Sequence, residues 1–448
     1  MTNDHPTAQA WAAISDTPEL AAVVRHRPAP GTLPSRLAVR DLARATVAVC
    51  SLAAAQLLAT RNAVPLPAVE VDEDAVATAF VSERHLRIDG RTPVSFAPHS
   101  GFFRTADGWV RTHANYPHHR TRLLAALGLP AGADAAGLAA ELATREAVDV
   151  QETAYAAGAL AVAVAQVDPA RPPLPLVETL AGGAAGRTLP AAPLPAAGVR
   201  VLDLTRVIAG PVATRTLGLL GADVLRLDAP QLPESEDAQA DTGFGKRSAR
   251  LDLADPAGRA VLDGLLAEAD VVVTGYRPYA LDRFGLSQDA LAERHPGLIT
   301  AQLCAWGWTG PWADRRGFDS LVQAGRGIAA LESGPDGTPG VLPAQALDHG
   351  TGYLLAAGVL RALTHRQLHG LGSRLRFSLA GTADWLLGLP RPGADEPGGG
   401  GRGRPRLAET PSPYGLLRHA LPPIGYAGAP VTWTRGPSRW GTDRPSWS

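Results

Sequence analysis

Short apolar runs alternate with longer segments of mixed polarity through the middle of the chain. Residues 199–204 are apolar and predict a strand, and Gly210-Pro211 predicts the first turn of a helix that ends at Gly221. Residues 222–228 follow directly and predict a second strand. These segments together predict one strand–helix–strand unit.

The same alternation continues along the chain. Asp255-Pro256 predicts a helix that runs to about Ala269, before a strand at 271–274. Ser287 predicts the cap of the next helix, which leads into a strand at 298–305. Strands separated by helices favour a parallel sheet covered on both faces, so the predicted fold class is α/β.

The turn after the first strand argues against the common nucleotide-binding motifs. It reads Arg206-Val207-Ile208-Ala209-Gly210-Pro211, whereas a dinucleotide site needs G-x-G-x-x-G there. The chain also lacks a P-loop, a G-x-S-x-G elbow and an H-E-x-x-H zinc motif. Nicotinamide, P-loop, serine-hydrolase and zinc-protease chemistry are therefore not indicated.

Five separated stretches within residues 197–390 carry a specific pattern. They read VLDLTRVIAGPVATRTLGLLGADVLRLDAP, GFGKRSARLDLADPAGRAVLDGLLAEADVVV, YRPYALDRFGL, RRGFDSLVQAGRGIA and PAQALDHGTGYLLAAGVLRAL. In this order they resemble class III CoA-transferases of the CaiB/BaiF type. The resemblance implies a Rossmann-like large domain that binds coenzyme A, and an enzyme that moves CoA between an acyl-CoA and a carboxylic acid.

Asp348 matches the aspartate that attacks the acyl-CoA thioester in that family. The resemblance implies an aspartyl acyl anhydride and then an aspartyl-CoA thioester, which divides one hard acyl exchange into easier steps. From the residues alone, Asp348 precedes a predicted helix at 350–366 and fits an N-cap. A helix N-terminus favours an ionised carboxylate, and its N–H groups can stabilise an oxyanion, so we expect Asp348 to stay ionised.

Four cations match the family's CoA contacts: Arg206, Lys246, Arg283 and Arg316. Arginine suits phosphate because its planar fork donates two parallel hydrogen bonds. Lys246 is the single lysine of the chain, which indicates a need for a compact charge, although a solvated surface position is the alternative.

Two alternatives to a transferase stay open. Racemases of α-methylacyl-CoA share the scaffold but carry histidine at the position of Phe318, and phenylalanine cannot move a proton. A racemase would need another base, for which His349 beside Asp348 is the nearby candidate. A catalytically weak CoA-binding paralogue is the second alternative.

The residues before the first strand–helix–strand unit contain two segments that resemble later parts of the chain or of the family. Asp41 and the Ala-rich helix after it parallel Asp348 and its helix, and residues 101–130 resemble the family's small-domain passage, with a hairpin turn at Asp107-Gly108. In the family this passage follows the catalytic aspartate, whereas here it precedes it. The sequence therefore predicts a rearranged or fused architecture with a smaller α+β domain.

Four segments follow from this interpretation. Residues 1–190 are a degenerate partial copy that includes the small-domain-like module, and 197–390 are the Rossmann-like CoA-transferase domain. Residues 391–412 are too rich in Gly and Pro for a regular element and form a linker, or a lid built on Gly398–Gly401. Residues 413–448 resemble the family's closing segment.

Composition and charge limit the kinds of partner and the cellular compartment that we expect for this protein. The 448 residues carry a formal charge of −1, so no overall field attracts nucleic acid or an acidic membrane. We see no uninterrupted run of 18 or more strongly apolar residues and no export signal. Cys50 and Cys304 lie in apolar runs, which favours buried free thiols and a cytoplasmic location.

The sequence also bears on metal binding and on the oligomeric state. Three histidines stand close together at His113, His118 and His119, but no Cys or carboxylate accompanies them at ligand spacing. We expect them to make surface or interdomain hydrogen bonds, and we expect no metal. Family resemblance implies an intertwined homodimer, although the displaced small-domain module leaves a monomer open.

Overall fold

The computed structural model describes residues 4–94, 96–184, 186–393 and 403–448. The helices are α1 (His5–Ala12), α2 (Val39–Asn62), α3 (Glu73–Ala79), α4 (Ser82–His85), α5 (Pro117–Ala126), α6 (Ala135–Leu142), α7 (Ala147–Ala156), α8 (Ala209–Leu219), α9 (Glu236–Thr242), α10 (Pro256–Glu268), α11 (Gln288–Arg294), α12 (Asp319–Gly325), α13 (Ile328–Leu331), α14 (Ala346–His369) and α15 (Leu379–Gly388). The strands are β1 (Arg25–Arg27), β2 (Glu70–Asp72), β3 (Arg87–Ile88), β4 (Phe102–Arg104), β5 (Trp109–Thr112), β6 (Ala161–Ala163), β7 (Glu178–Ala184), β8 (Arg200–Leu204), β9 (Asp223–Asp228), β10 (Lys246–Arg250), β11 (Val271–Thr274), β12 (Ile299–Cys304), β13 (Leu371–Ser378), β14 (Leu407–Ser412) and β15 (Gly415–Ala420). Short 3₁₀ helices lie at Pro18–Val23 and Asp282–Phe284.

A seven-stranded sheet organises the molecule, in the order β10-β9-β8-β11-β12-β13-β7. Neighbouring strands from β10 to β13 are parallel, and β7 is antiparallel to β13. The predicted α/β class with a large parallel sheet is therefore confirmed. Strand β10, which the sequence analysis did not identify, carries the charged sequence KRSAR at the edge of the sheet.

The predicted starts of α10 and α11 are confirmed, and in each a side chain at the N-cap bonds to the first turn. The Asp255 side chain accepts a hydrogen bond from the backbone N–H of Ala257 at the start of α10. The Ser287 hydroxyl accepts one from Ala290 at the start of α11. These bonds satisfy first-turn N–H groups that have no partner within the helix.

Both faces of the main sheet are buried. Val201 and Val273 pack into one hydrophobic core, while their neighbours Leu202 and Val272 pack into a second core on the opposite face. This alternation follows from the two-residue period of a strand. The first core also contains α2, α8 and α14, and the second contains apolar side chains of α10 and α11.

Helices α2 and α14 pack against each other at the centre of the first core. By length and composition α2 could cross a membrane, and the sequence analysis overlooked this. In the structure 78% of its most apolar 18-residue window is buried inside the protein. Here α2 is a core helix.

Residues 1–190 do not form a unit separate from residues 197–390, because β7 completes the main sheet and α2 lies in its core. Strands β4, β5 and β6 form a small antiparallel sheet that shares its own core with α5, α6 and α7. The turn between β4 and β5 contains Asp107-Gly108, as predicted.

The segment predicted to lack regular structure, 391–412, ends in a strand. Strand β14 covers Leu407–Ser412 and pairs with β15, which pairs with β3. The prediction was wrong here because the sequence of β14, which includes Glu409 and Pro411, has little strand propensity of its own, and pairing with β15 defines the strand. The predicted lid or linker at Gly398–Gly401 lies outside the described residues.

Candidate active site

A cavity of about 950 Å³ opens at the carboxyl ends of four parallel strands. Leu204 of β8, Leu227 of β9, Gly275 after β11 and Leu303 of β12 all line it. Strand order reverses between β8 and β11, since β9 continues on one side of β8 and β11 on the other. In open α/β sheets ligands bind at such a point, so the cavity lies where this fold offers a ligand site.

Asp348 lines the cavity and is only 6% exposed. Helix α14 begins at Ala346, so Asp348 is its third residue and the predicted N-cap role is wrong. Instead, the backbone N–H of Asp348 donates to the Asp319 carboxylate at 3.0 Å. Because a carboxylate from α12 satisfies this first-turn N–H group, the helix start does not need the Asp348 side chain.

The surroundings of Asp348 favour its neutral form. Burial raises the pKa of Asp348 well above its ordinary value, and the charges of Asp319 and Glu83 raise it further. Burial also raises the pKa of Asp319 to about 6. The expectation that the helix N-terminus keeps Asp348 ionised is therefore wrong: a helix dipole contributes at most about 2 kcal/mol even at a partly buried site, and burial beside two carboxylates outweighs it.

Arg206, which the sequence predicts as a ligand cation, lines the cavity. Its Nη1 and Nη2 donate to the carbonyls of Leu232 and Pro233 at 2.8 and 3.0 Å. Its Nε lies 3.6 Å from the Glu234 carboxylate, and its guanidinium lies over the ring of Tyr116 at 5.2 Å. Protein groups therefore hold Arg206 in place beside the cavity, and the Glu234 carboxylate partly balances its charge.

Glu234 joins the turn after β8 to the N-terminal part of the chain. Val207 in that turn has φ +70°, which a β-branched residue rarely adopts, and its N–H donates to Glu234 at 3.2 Å. The Tyr116 hydroxyl donates to the same carboxylate at 3.0 Å. The sequence analysis missed both Glu234 and Tyr116, because a single Glu and a single Tyr in loops far apart carry no motif.

The structure does not support Lys246 as a CoA contact. Lys246 is 1% exposed and is not among the described residues that line the cavity. Its Nζ donates to Oδ2 of the buried Asp203 at 3.0 Å. Burial lowers the pKa of Lys246 to about 8, although Asp203 opposes this shift. Lys246 therefore forms a buried ion pair inside the sheet and does not face a ligand in the cavity.

Arg283 and Arg316 are exposed, and both line the cavity. Two further arginines that the sequence analysis missed, Arg277 and Arg315, line it as well. Burial and the charge of Arg277 lower the pKa of Arg316, which indicates that these cations lie near each other. Such a group of guanidinium ions suits a phosphorylated ligand.

The bases that a racemase would need are poorly placed. His349 is fully buried, its Nε2 lies 3.4 Å from Glu83, and it is not among the described cavity-lining residues. Phe318 stacks on His113, with ring centroids 3.6 Å apart. Burial lowers the pKa of His113 to about 3, which makes it a weak base at neutral pH.

His118 and His119 line the cavity. His118 is exposed, as expected of a surface residue, whereas His119 is only 4% exposed. Burial lowers the pKa of His119 to about 3, so this side chain is a neutral part of the wall. Within the described ranges, no group of three or more His, Cys, Asp or Glu residues is placed to hold a metal ion.

Residues 196–394 match the profile of CoA-transferase family III. These residues are similar to that family and are the family region of the chain. The family region contains the six parallel strands of the main sheet, α14 and Asp348, whereas Tyr116, His118 and His119 lie outside it.

Curated relatives are similar over the same part of the chain. A probable fatty acyl-CoA transferase of Mycobacterium tuberculosis is 34% identical over 230 residues, which is 46% of this chain and 57% of the relative. The beta subunit of a succinyl-CoA–L-malate CoA-transferase of Chloroflexus aurantiacus is 38% identical over 42% of this chain and 49% of the relative. A formyl-CoA:oxalate CoA-transferase of Afipia carboxidovorans is 36% identical over 43% of this chain and 48% of the relative. The chain thus spans about half the length of the curated relatives it matches.

Proposed function

We propose that this protein is a CoA-transferase that moves CoA from an acyl-CoA to a carboxylic acid, with Asp348 as the nucleophile. The observation that carries the proposal is the position of Asp348: a nearly buried carboxylate within the family III region, lining a cavity that arginines also line. Transferase activities named for the relatives support the reaction class.

The proposed reaction uses a carboxylate and a thiolate in turn. An Asp348 oxygen attacks the thioester carbonyl, the C–S bond breaks, and CoA leaves as a thiolate. The thiolate then attacks the Asp348 carbonyl of the mixed anhydride, which releases the first acid as a carboxylate and leaves an aspartyl-CoA thioester. An acceptor carboxylate repeats these two steps in reverse, so Asp348 is regenerated and no net proton is consumed.

The pKa of Asp348 bears directly on this mechanism. Only the ionised carboxylate attacks, so the raised pKa predicts an acidic limb in the rate that lies above the ordinary range of an aspartate. A nearly buried site also excludes water, which would hydrolyse the anhydride. The same burial therefore protects the intermediate and weakens the nucleophile in acid.

Substitution of Asp348 tests the proposal. Full-length protein is assayed for CoA exchange with succinyl-CoA, formyl-CoA and a fatty acyl-CoA as donors and with malate and oxalate as acceptors. We expect Asp348→Ala to lower the rate by at least about 10³-fold. We expect mass spectrometry of the wild type with an acyl-CoA and hydroxylamine to locate the modification at Asp348.

Asp41 provides a matched control, because it is the third residue of the 24-residue α2, as Asp348 is of the 24-residue α14. Asp41 pairs with Arg44 at 2.8 Å. Asp41→Ala should keep the exchange activity. An Asp348→Ala protein that exchanges CoA as fast as the wild type would refute the mechanism, and a folded wild type without exchange would favour a CoA-binding paralogue.

We also infer a Rossmann-like large domain in a rearranged chain. The parallel strands follow the order 3-2-1-4-5-6 when β8 is counted first, as in dinucleotide-binding folds. The matching positions of Asp41 and Asp348 support a partial internal copy in residues 1–190. A cytoplasmic location and a homodimer stay predictions of the family resemblance.

A further inference from the structure

A turn at the mouth of the cavity carries tyrosine where the backbone favours glycine. In the segment Arg277-Pro278-Tyr279-Ala280, the N–H of Ala280 donates to the Arg277 carbonyl at 3.2 Å. Pro278 is second in this turn, and Tyr279 is third with φ +65°. Proline followed by a positive φ is typical of a type II turn, whose third position favours Gly or Asn. Tyr279 therefore holds a strained backbone conformation.

Packing does not account for this strain. Tyr279 is 72% exposed, so burial of its ring offers little compensation. Val207 is also strained, but its N–H bonds to the nearly buried Glu234, which explains why that conformation persists. Tyr279 lines the cavity, and a strained residue at a binding site supports a functional role.

The surroundings of Tyr279 fit one end of a long anionic ligand. Arg277 and Arg283 line the cavity on either side of it in sequence. Asp348 is nearly buried whereas Tyr279 is exposed. A ligand whose thioester reaches Asp348 would therefore extend its opposite end toward the mouth, where cations for phosphate and an aromatic face for a flat ring are both available.

We propose that Tyr279 is an aromatic platform on which the adenine ring of CoA stacks. This inference rests on the proposed function, because it requires CoA in the cavity. Stacking of a base on an aromatic side chain corresponds to about a 5- to 150-fold change in affinity. The proposal explains why this turn carries tyrosine and not glycine. Glycine would relieve the backbone strain, but it would remove the aromatic ring on which adenine stacks.

Calorimetric titration of the full-length protein tests the platform with two probes. CoA carries the adenine ring, and 4′-phosphopantetheine lacks the adenosine part. We expect Tyr279→Gly to weaken CoA binding about tenfold, to leave 4′-phosphopantetheine binding unchanged, and to keep or raise the thermal midpoint. Tyr279→Phe keeps a ring and should bind CoA like the wild type.

Ala63 supplies a matched control for the relief of strain. It is exposed at the end of α2 with φ +51° and is not among the described residues that line the cavity. Ala63→Gly should keep or raise the thermal midpoint without a change in CoA affinity. The platform is wrong if Tyr279→Gly binds CoA like the wild type or weakens both probes equally. A wild type that binds neither probe overturns the proposed function as well.

Discussion

Asp348 makes the native state less stable at neutral pH than it would be with a neutral side chain in its place. Its pKa is raised in the folded protein, so the stability linked to its proton is present below the ordinary value of 3.8 and is lost as pH rises through the folded pKa. Asp348→Asn should therefore be more stable than the wild type at pH 8, by about 1.4 kcal/mol for each unit of pKa shift. Urea unfolding at pH 8 and pH 4.5 measures this difference.

The advantage of Asp348→Asn should narrow at pH 4.5, where the wild-type side chain carries its proton. Asp41→Asn is the control, since Asp41 is paired with Arg44 and should gain nothing from neutralisation. If the wild type and Asp348→Asn are equally stable at pH 8, then burial and the charges of Asp319 and Glu83 do not raise the pKa of Asp348.

Individual residues were only partly predictable from the sequence. Asp348, Arg206, Arg283 and Arg316 were predicted as site residues because motifs of the family region surround them, and all four line the cavity. Lys246 stands in an equally good motif, yet it pairs with Asp203 inside the sheet. Spacing along a chain does not reveal whether a buried carboxylate has already neutralised a cation.

Helices α8 and α14 lie so close together that α14 cannot accept a larger residue at Gly352 without a shift in the backbone. A Cβ at Gly352 would lie 2.6 Å from the carbonyl oxygen of Ala209 in α8, and a backbone atom cannot move aside as a side chain can. We expect Gly352→Ala to destabilise the protein by about 1–3 kcal/mol, the usual cost of overpacking. Thermal and urea unfolding provide the measurement.

Gly264 in α10 is the matched control, because nothing lies within 4 Å of a Cβ built there. Gly264→Ala should raise stability by about 0.5–1 kcal/mol, since alanine loses less entropy than glycine in a helix. A Gly352→Ala protein as stable as Gly264→Ala would mean that α8 and α14 do not pack as closely as the structure shows.

Most elements of the family region were predictable because each has a local signal. Asp255 and Ser287 cap their helices, and short segments rich in Val, Leu and Ile mark β8, β9, β11 and β12. The start of α14 was placed too late because its first turn is capped by Asp319, which lies far away in sequence. Local sequence signals therefore identify helices and strands well. They do not locate a helix end that is fixed by a side chain distant in sequence.

At the scale of the whole molecule, the boundary near residue 190 proved to be a boundary of sequence similarity and not of folding. Strand β7 pairs with β13, and α2 lies in the main core. Tyr116 reaches Glu234 beside the cavity. These contacts join residues distant in sequence, so composition and periodicity could not reveal them.

The two parts of the chain should therefore fold only together. Helix α2 buries large apolar side chains, each contributing about 1.5–3 kcal/mol, and these are Leu42, Val47, Val49, Leu52 and Leu57. Their sum is comparable with the whole net stability of a typical protein, about 5–15 kcal/mol. A fragment of residues 171–448, cut in the exposed loop before β7, should lack cooperative unfolding in circular dichroism and should not bind CoA.

Co-expression of residues 1–170 with residues 171–448 should give a complex that copurifies and regains both properties, because the cut leaves α2, Tyr116 and their partners intact. The complex carrying Tyr116→Phe is a graded control: it loses the hydroxyl that donates to Glu234 but keeps the ring beneath Arg206. It should assemble normally and bind CoA at least about tenfold more weakly, because a hydrogen bond to a charged group contributes about 1.5–3 kcal/mol. If residues 171–448 alone unfold cooperatively and bind CoA like the full chain, the N-terminal part is an addition to a complete domain and not a component of its core.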